Sequence, residues 1–266
     1  MDFNRYLNRF KQKNISKVVI PGVILIYSCH KYLKTRLEKY VLHKNTYNGW
    51  KVFIIIGDPF LKTEYEFIDD TNIIKIRCED SYIHLCKKVI LGIKIVLDIY
   101  TLTEGILRCG DDLIFNEDNL EKFLRIKNKN DYIGNPMRSS SHVSKVKDNF
   151  MPDYFAHHRE DLENPLNGIK YNLEELLLFN ERPSLSYAAG VIVYYSIKSC
   201  NILIEHMKQI DWNIFEYSVK YGYPYIIEDV GVGFILNKNG IYPTYYNMYI
   251  NTAHVNAIGI HTNDYK

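Results

Sequence analysis

The chain has 266 residues and 47% hydrophobic content, enough for one large α/β domain or two small ones. Lys and Arg total 33 against 31 for Asp and Glu, so the net charge is only +2 and gives no electrostatic case for a nucleic-acid partner. The longest early apolar run, Val18 to Tyr27, is interrupted by Pro21 and Gly22 and is too short to span a bilayer; with no signal-peptide cleavage site either, the expectation is a soluble, cytoplasmic protein.

Residues 3–13 place Phe3, Tyr6, Leu7 and Phe10 at i, i+3, i+4, i+7 among basic residues. This spacing predicts an amphipathic N-terminal helix within 1–17 that packs on the domain. Gly22 to Ser28 reads as a buried first strand. Residues 30–43 look helical, with Tyr32, Leu33, Leu37, Tyr40 and Val41 on one side. Lys51 to Ile56 and Asn72 to Ile76 form the next two strands. Residues 82–97 give the clearest helix, with an apolar stripe from Tyr82 to Leu97 that Asp80 or Ser81 would cap. This rhythm predicts a mostly parallel central sheet flanked by helices on both faces.

A strand from Gly105 runs into Asp111 and Asp112, followed by a helix from Glu117 to Ile126 and a short strand from Asp131 to Gly134. Residues 135–186 change character, punctuated by Ser139 to Ser141, Pro152, His157-His158 and Pro165. They read as an insertion beside the sheet edge, with one helix at Leu173 to Phe179, serving either as a lid or as an idle excursion. Tyr187 to Tyr195 returns to apolar and small residues around Gly190, and Ile197 to Met207 reads as a helix. Glu228-Asp229 precede Val230-Gly231-Val232-Gly233. Two helical glycines cost about 1 kcal/mol each, so something should approach that backbone closely. Ile241 to Pro243 and Ala253 to Ile260 are the expected late strands, with His254 and His261 beside them. The five cysteines are odd in number and lack zinc-ligand spacing, so they read as small core residues of a reducing compartment. The 23 tyrosines accompany many Asn, Ile and Lys residues, which points to nucleotide composition rather than to function. No internal repeat or linker divides the chain, so 1–266 is read as a single domain.

The stretch from Leu107 to Asn116 carries the sharpest chemistry. Adjacent carboxylates at the end of an apolar strand lose several kcal/mol of hydration if buried without partners. They therefore fit either a divalent metal at the carboxyl edge of the sheet or a solvated Gly-Asp-Asp turn.

Four segments in order resemble one known family. Asp80-Ser81-Tyr82-Ile83-His84-Leu85-Cys86-Lys87-Lys88 resembles the Asp-Ser-Tyr-x-Asn-Leu-Thr-x-Lys segment of the β1,3-galactosyltransferase and Fringe-like enzymes, glycosyltransferase family 31. Arg108 to Phe115 resembles their Lys-Thr-Asp-Asp-Asp-Val-Phe-Val stretch. Pro183 through Ser196, with Tyr187 and Gly190, resembles their Pro-Tyr-x-x-Gly-x-x-Tyr-x-x-Ser segment, and Glu228 to Gly233 their Glu-Asp-Val-x-x-Gly block. The likeness spans roughly residues 24–243. Departures are Gly110 for the first acid of the triplet, His84 and Cys86 for Asn and Thr, and a longer insertion. No Golgi anchor is seen, which points to a soluble bacterial or viral member acting in the cytoplasm, the host cytoplasm or the virion.

The resemblance implies a GT-A fold and a metal-dependent, inverting transfer of a hexose or N-acetylhexosamine. The donor would be a UDP-sugar and the acceptor a hydroxyl of a glycan or glycoprotein, in β1,3 linkage. Mn2+ or Mg2+ would bridge the diphosphate through Asp112, with Asp111 near the ribose or bound through water and His254 or His261 completing the shell. Asp229 carries over as the base, with Glu228 second. Tyr27 and Ser28 would lie beside the uracil, Arg36, Asp80 and Lys88 near nucleotide or diphosphate, and Tyr187 and Gly190 around the sugar, with Trp212 a possible stacking surface for an acceptor. The alternative is a non-catalytic nucleotide-sugar or glycan-binding module derived from such an enzyme, which Gly110 supports. A nucleotide-sugar pyrophosphorylase shares the fold class but lacks its Gly-rich loop after the first strand.

Overall fold

The computed structural model describes residues 17–37, 42, 44–82, 84–139, 185–209, 225, 227–251 and 256–262. The expected N-terminal helix, most of the 135–186 insertion, Trp212 and His254 lie outside the described residues. In chain order the elements are β1 (Val18–Tyr27), β2 (Thr46–Tyr47), β3 (Trp50–Gly57), β4 (Tyr65–Phe67), β5 (Ile73–Ile76), α1 (Leu85–Ile99), β6 (Tyr100–Gly110), β7 (Leu113–Phe115) and α2 (Glu117–Arg125). They continue with β8 (Tyr132–Gly134), β9 (Pro136–Ser139), β10 (Leu185–Ala188), β11 (Ile192–Ser196), α3 (Ile197–Lys208), α4 (Glu228–Lys238), β12 (Thr244–Tyr245), β13 (Tyr249–Ile250) and β14 (Gly259–His261).

The central sheet runs β12-β8-β11-β6-β1-β3-β5-β4, with β2 folded back on β3. Its middle, β6-β1-β3-β5, is parallel, as the strand and helix rhythm predicts. Beyond β6 the chain returns through β11, antiparallel to both β6 and β8, and β4 closes the other edge antiparallel to β5. The described sheet is therefore mixed rather than mostly parallel. The cause lies in the connections: β11 carries its own turn, Ala189 to Val191, beside the end of β6, and needs no crossover helix to reach its place.

The middle strands are buried on both faces, so they read as continuous apolar runs. Alternate residues of β1 divide between two cores. Val23, Leu25 and Tyr27 pack with the apolar faces of α1, α3 and α4, whereas Ile24 and Ile26 pack with Leu120, Phe123 and Leu124 of α2. Each fully buried aliphatic side chain in these layers contributes about 1.5–3 kcal/mol. No helix among the described residues is long and apolar enough to cross a membrane.

Several local expectations change. In place of a helix from residue 30, the chain makes one 3-10 turn at His30–Tyr32 and then turns through Arg36. Helix α1 begins at Leu85, not 82, and neither Asp80 nor Ser81 caps it; its N-cap is His84, with no side-chain cap bond. Ile241 to Pro243 is not a strand, and pairing starts only at Thr244, one residue after the proline that cannot donate to a ladder. The close approach to α4 is made by protein: a Cβ on Gly233 would lie 2.5 Å from Cβ of Tyr187, so this glycine lets β10 pack on the helix.

Ser196, part of the family-like segment, is a helix cap. Its Oγ accepts from Ser199 N at 3.2 Å and donates to Asp131 Oδ1 at 2.7 Å. Ser196→Ala should therefore cost about 1–2 kcal/mol in chemical denaturation and leave ligand binding in the cleft described next unchanged.

Candidate functional site

The carboxyl ends of β1 and β6, the turn into β11, the first turn of α4 and the end of β14 converge on a cleft of about 250 Å3. Crevices at the carboxyl ends of parallel strands are where open α/β sheets bind ligands. Asp111, Asp112, Glu228, Asp229 and His261 all line it, as do Ser28, Arg36, Asp80, Lys88 and Gly190. Residues far apart in sequence are thus brought to one place.

The first acidic pair sits just past β6. Asp111 is held by protein on both oxygens: Ser28 Oγ donates to Oδ2 at 2.7 Å and Arg36 Nη1 to Oδ1 at 2.9 Å. Asp112 Oδ2 lies 3.1 Å from His261 Nε2 and 3.8 Å from Arg36 Nη1. The register of β14 against β7 pairs His261 with Leu113, and Thr262 N donates to Asp112 O at 3.0 Å, which fixes the histidine beside the acid. Burial raises the Asp112 carboxyl, but the hydrogen bond and charge of His261, with Arg36, outweigh it and hold it below the usual range.

Among the described residues no group of three or more His, Cys, Asp or Glu side chains is set to hold a metal ion. Asp112 and His261 do form an adjacent carboxylate and imidazole facing the same cleft. Two such protein donors suit Mn2+ or Mg2+ when substrate phosphates and water complete the shell. Gly110, where the enzymes its segment resembles have an acid, lies against Asp112: a Cβ there would stand 2.8 Å from Asp112 Oδ1. Any side chain at this position would require Asp112 to move.

The second acidic pair opens α4. Glu228 is buried, with Oε2 at 3.0 Å from Arg108 Nη2. Asp229 is less buried; its Oδ1 accepts from Val230 N at 2.8 Å and its Oδ2 from Gly190 N at 3.4 Å. A Cβ on Gly190 would stand 2.4 Å from Glu228 Oε2, so only glycine lets this turn rest on the acids. Burial pushes the Asp229 carboxyl upward, against hydrogen bonds from Gly190 and Val230 and the charge of Arg108.

Other expected site residues serve the frame. Asp80 accepts from His30 N at 2.8 Å, His30 Nδ1 at 2.7 Å, Gly57 N at 2.8 Å and Lys88 Nζ at 2.5 Å, which fills its four lone-pair sites. Lys88, 2% exposed, also donates to Ser28 O. Tyr27 touches the cleft, but its hydroxyl donates to Val89 O at 2.9 Å. Tyr187 is not on the cleft wall; it is packed on Gly233 as described above.

Sequence reasoning missed Arg108 and Tyr32. An arginine inside the apolar run Ile106 to Cys109 was the available signal for the first. Tyr32 offers a ring to the cleft with the Arg36 guanidinium 3.5 Å from its centre, and its place follows from the 3-10 turn, which no periodicity announces.

No protein-family model matches this chain, and no curated protein sequence matches it.

Two outcomes follow from this geometry. Lys88→Met leaves Asp80 charged and buried without its cation and should cost about 3–5 kcal/mol in chemical denaturation. Burial raises the Glu228 carboxyl from 4.5 to about 7, Arg108 opposing and Asp229 adding. The stability gained by keeping it protonated is full below about 4.5 and is lost as pH rises through about 7. Thermal unfolding of Glu228→Gln should accordingly vary less with pH across that window than that of the native chain.

Proposed function

We propose that this chain is a metal-dependent, inverting glycosyltransferase that moves a hexose or N-acetylhexosamine from a UDP-sugar to a hydroxyl of a glycan or glycoprotein, in β1,3 linkage within a GT-A fold. The observation that carries this reading is the meeting of Asp112 and Asp229, at positions the family resemblance marks, with His261 in one cleft.

Asp229 is the base in this reading. It takes the proton of the acceptor hydroxyl as that oxygen attacks the anomeric carbon; the new C–O bond forms on the face opposite the breaking bond to UDP, and configuration inverts. Burial raises this carboxyl above the usual carboxylate range, which strengthens it as a proton acceptor once ionised. Asp112 and His261 would hold the divalent cation, which supplies positive charge for the departing diphosphate. Arg36 steadies Asp111 and adds charge on the same side of the cleft.

Two observations favour a second reading, a nucleotide-sugar or glycan-binding module without turnover: Arg36 already brings a cation to within 3.8 Å of Asp112, and Gly110 stands where the resembled family has an acid.

UDP release measured with manganese, a panel of UDP-sugars and candidate acceptors separates the two. For the enzyme, Asp112→Ala and Asp229→Ala should each lower the rate by about 100-fold or more, with the folded state retained. Tight UDP binding with no release on any donor would instead select the binding module.

A further inference from the structure

Arg108 sits near the end of β6 within the apolar run Ile106 to Cys109, 3% exposed between the fully buried Leu107 and Cys109. Its Nη2 meets Glu228 Oε2 at 3.0 Å, but its buried Nε and Nη1, and Oε1 of Glu228, have no hydrogen-bond partner. A pair built this way is a poor stabilising device. Two charges are desolvated, three polar atoms are left unsatisfied, and apolar side chains of similar volume are often as stable or more so. Its retention calls for another reason.

The neighbouring acid supplies one. Asp229 follows Glu228 directly and lines the same cleft. Burial favours its neutral form, and a base must be ionised before it can accept a proton. The titratable groups that bear on it are Glu228 beside it in α4, Cys86 in α1, Tyr132 in β8, Tyr249 in β13 and Arg108 in β6. Burial raises the two tyrosines and the cysteine, so they stay uncharged, and Glu228 is neutral or negative. Among these described residues Arg108 is the positive charge.

We propose that Arg108 is a positioning residue for Asp229: its buried guanidinium, fixed by Glu228 and only partly consumed by it, holds the adjacent acid in the charged form that accepts the acceptor's proton. Glu228 is then the anchor that sets where the cation lies, rather than a second base. This rests on the reading of Asp229 as the base. It adds a role for a residue of the cleft wall that acts through the acid beside its own ion-pair partner.

The test follows the Asp229 carboxyl directly, by carbon-13 NMR of the full chain labelled at aspartate and assigned against Asp229→Asn, alongside the pH profile of UDP release. In Arg108→Met the Asp229 titration should move upward by about one pH unit or more, and the acid limb of the profile should move with it. Arg108→Lys should restore most of both. Because Arg108→Met strands Glu228, the same comparison is made between Glu228→Gln and Arg108→Met/Glu228→Gln, in which no carboxylate is orphaned. An unchanged Asp229 titration in both pairs overturns the proposal, whatever happens to the rate. A shifted titration in a chain that releases no UDP keeps the electrostatic coupling and removes the glycosyltransferase reading instead.

Discussion

Four donors from three parts of the chain converge on the carboxylate of Asp80, and the geometry of the cleft depends on that convergence. Lys88 comes from α1, the amide of Gly57 from the end of β3, and both the amide and the ring of His30 from the turn after β1. A charge this deeply buried must be fully satisfied, so none of these elements can slide without exposing an unpaired group to a low-dielectric interior. The constraint is passed on. Lys88 also binds the carbonyl of Ser28, Ser28 binds Asp111, and Asp111 binds Arg36. The ends of two central strands are thereby linked to the first acidic pair through hydrogen bonds alone.

The ionisable groups of the cleft fall into two sets. On one side Arg36 and His261 face Asp111 and Asp112; on the other Arg108 faces Glu228, with Asp229 beside it. Charges fixed in advance need no reorganisation when a polar ligand enters, which is how a protein makes dipoles count in a water-poor site. The arrangement also explains why two glycines stand at the rim. Gly110 and Gly190 each border a carboxylate so closely that a methyl group would meet its oxygen. At these points the backbone itself forms the wall of the cleft.

Much of the fold was legible because its signals are local. Continuous apolar runs marked β1, β3 and β6, and an apolar stripe at helical spacing marked α1; α2 and α3 were also placed to within a few residues. Asp111 and Asp112 could be singled out because acids ending an apolar strand are costly without a reason, whereas Glu228 and Asp229 were marked by the family resemblance. What escaped was set by tertiary context. The antiparallel return of β11 depends on which strand it meets, not on its own composition. Asp80 looked like a helix cap and became the node of a buried network, since the helix that follows supplied Lys88. Tyr27 and Tyr187 looked like ligand surfaces, yet each fills a notch left by a glycine, Gly92 for one and Gly233 for the other. The place of His261 beside Asp112 follows from the pairing of β14 with β7, a long-range register that no window of sequence contains.

That pairing has a consequence for how the chain matures. Asp112 and His261 are separated by 149 positions, and the strand bearing the histidine is the last of the described elements. During synthesis from the amino end, the central sheet, both acidic pairs and the Asp80 node emerge from the ribosome before the imidazole does. A nascent chain can therefore assemble its frame while one wall of the crevice is still missing, and acquires its full set of side chains only when translation has passed residue 261.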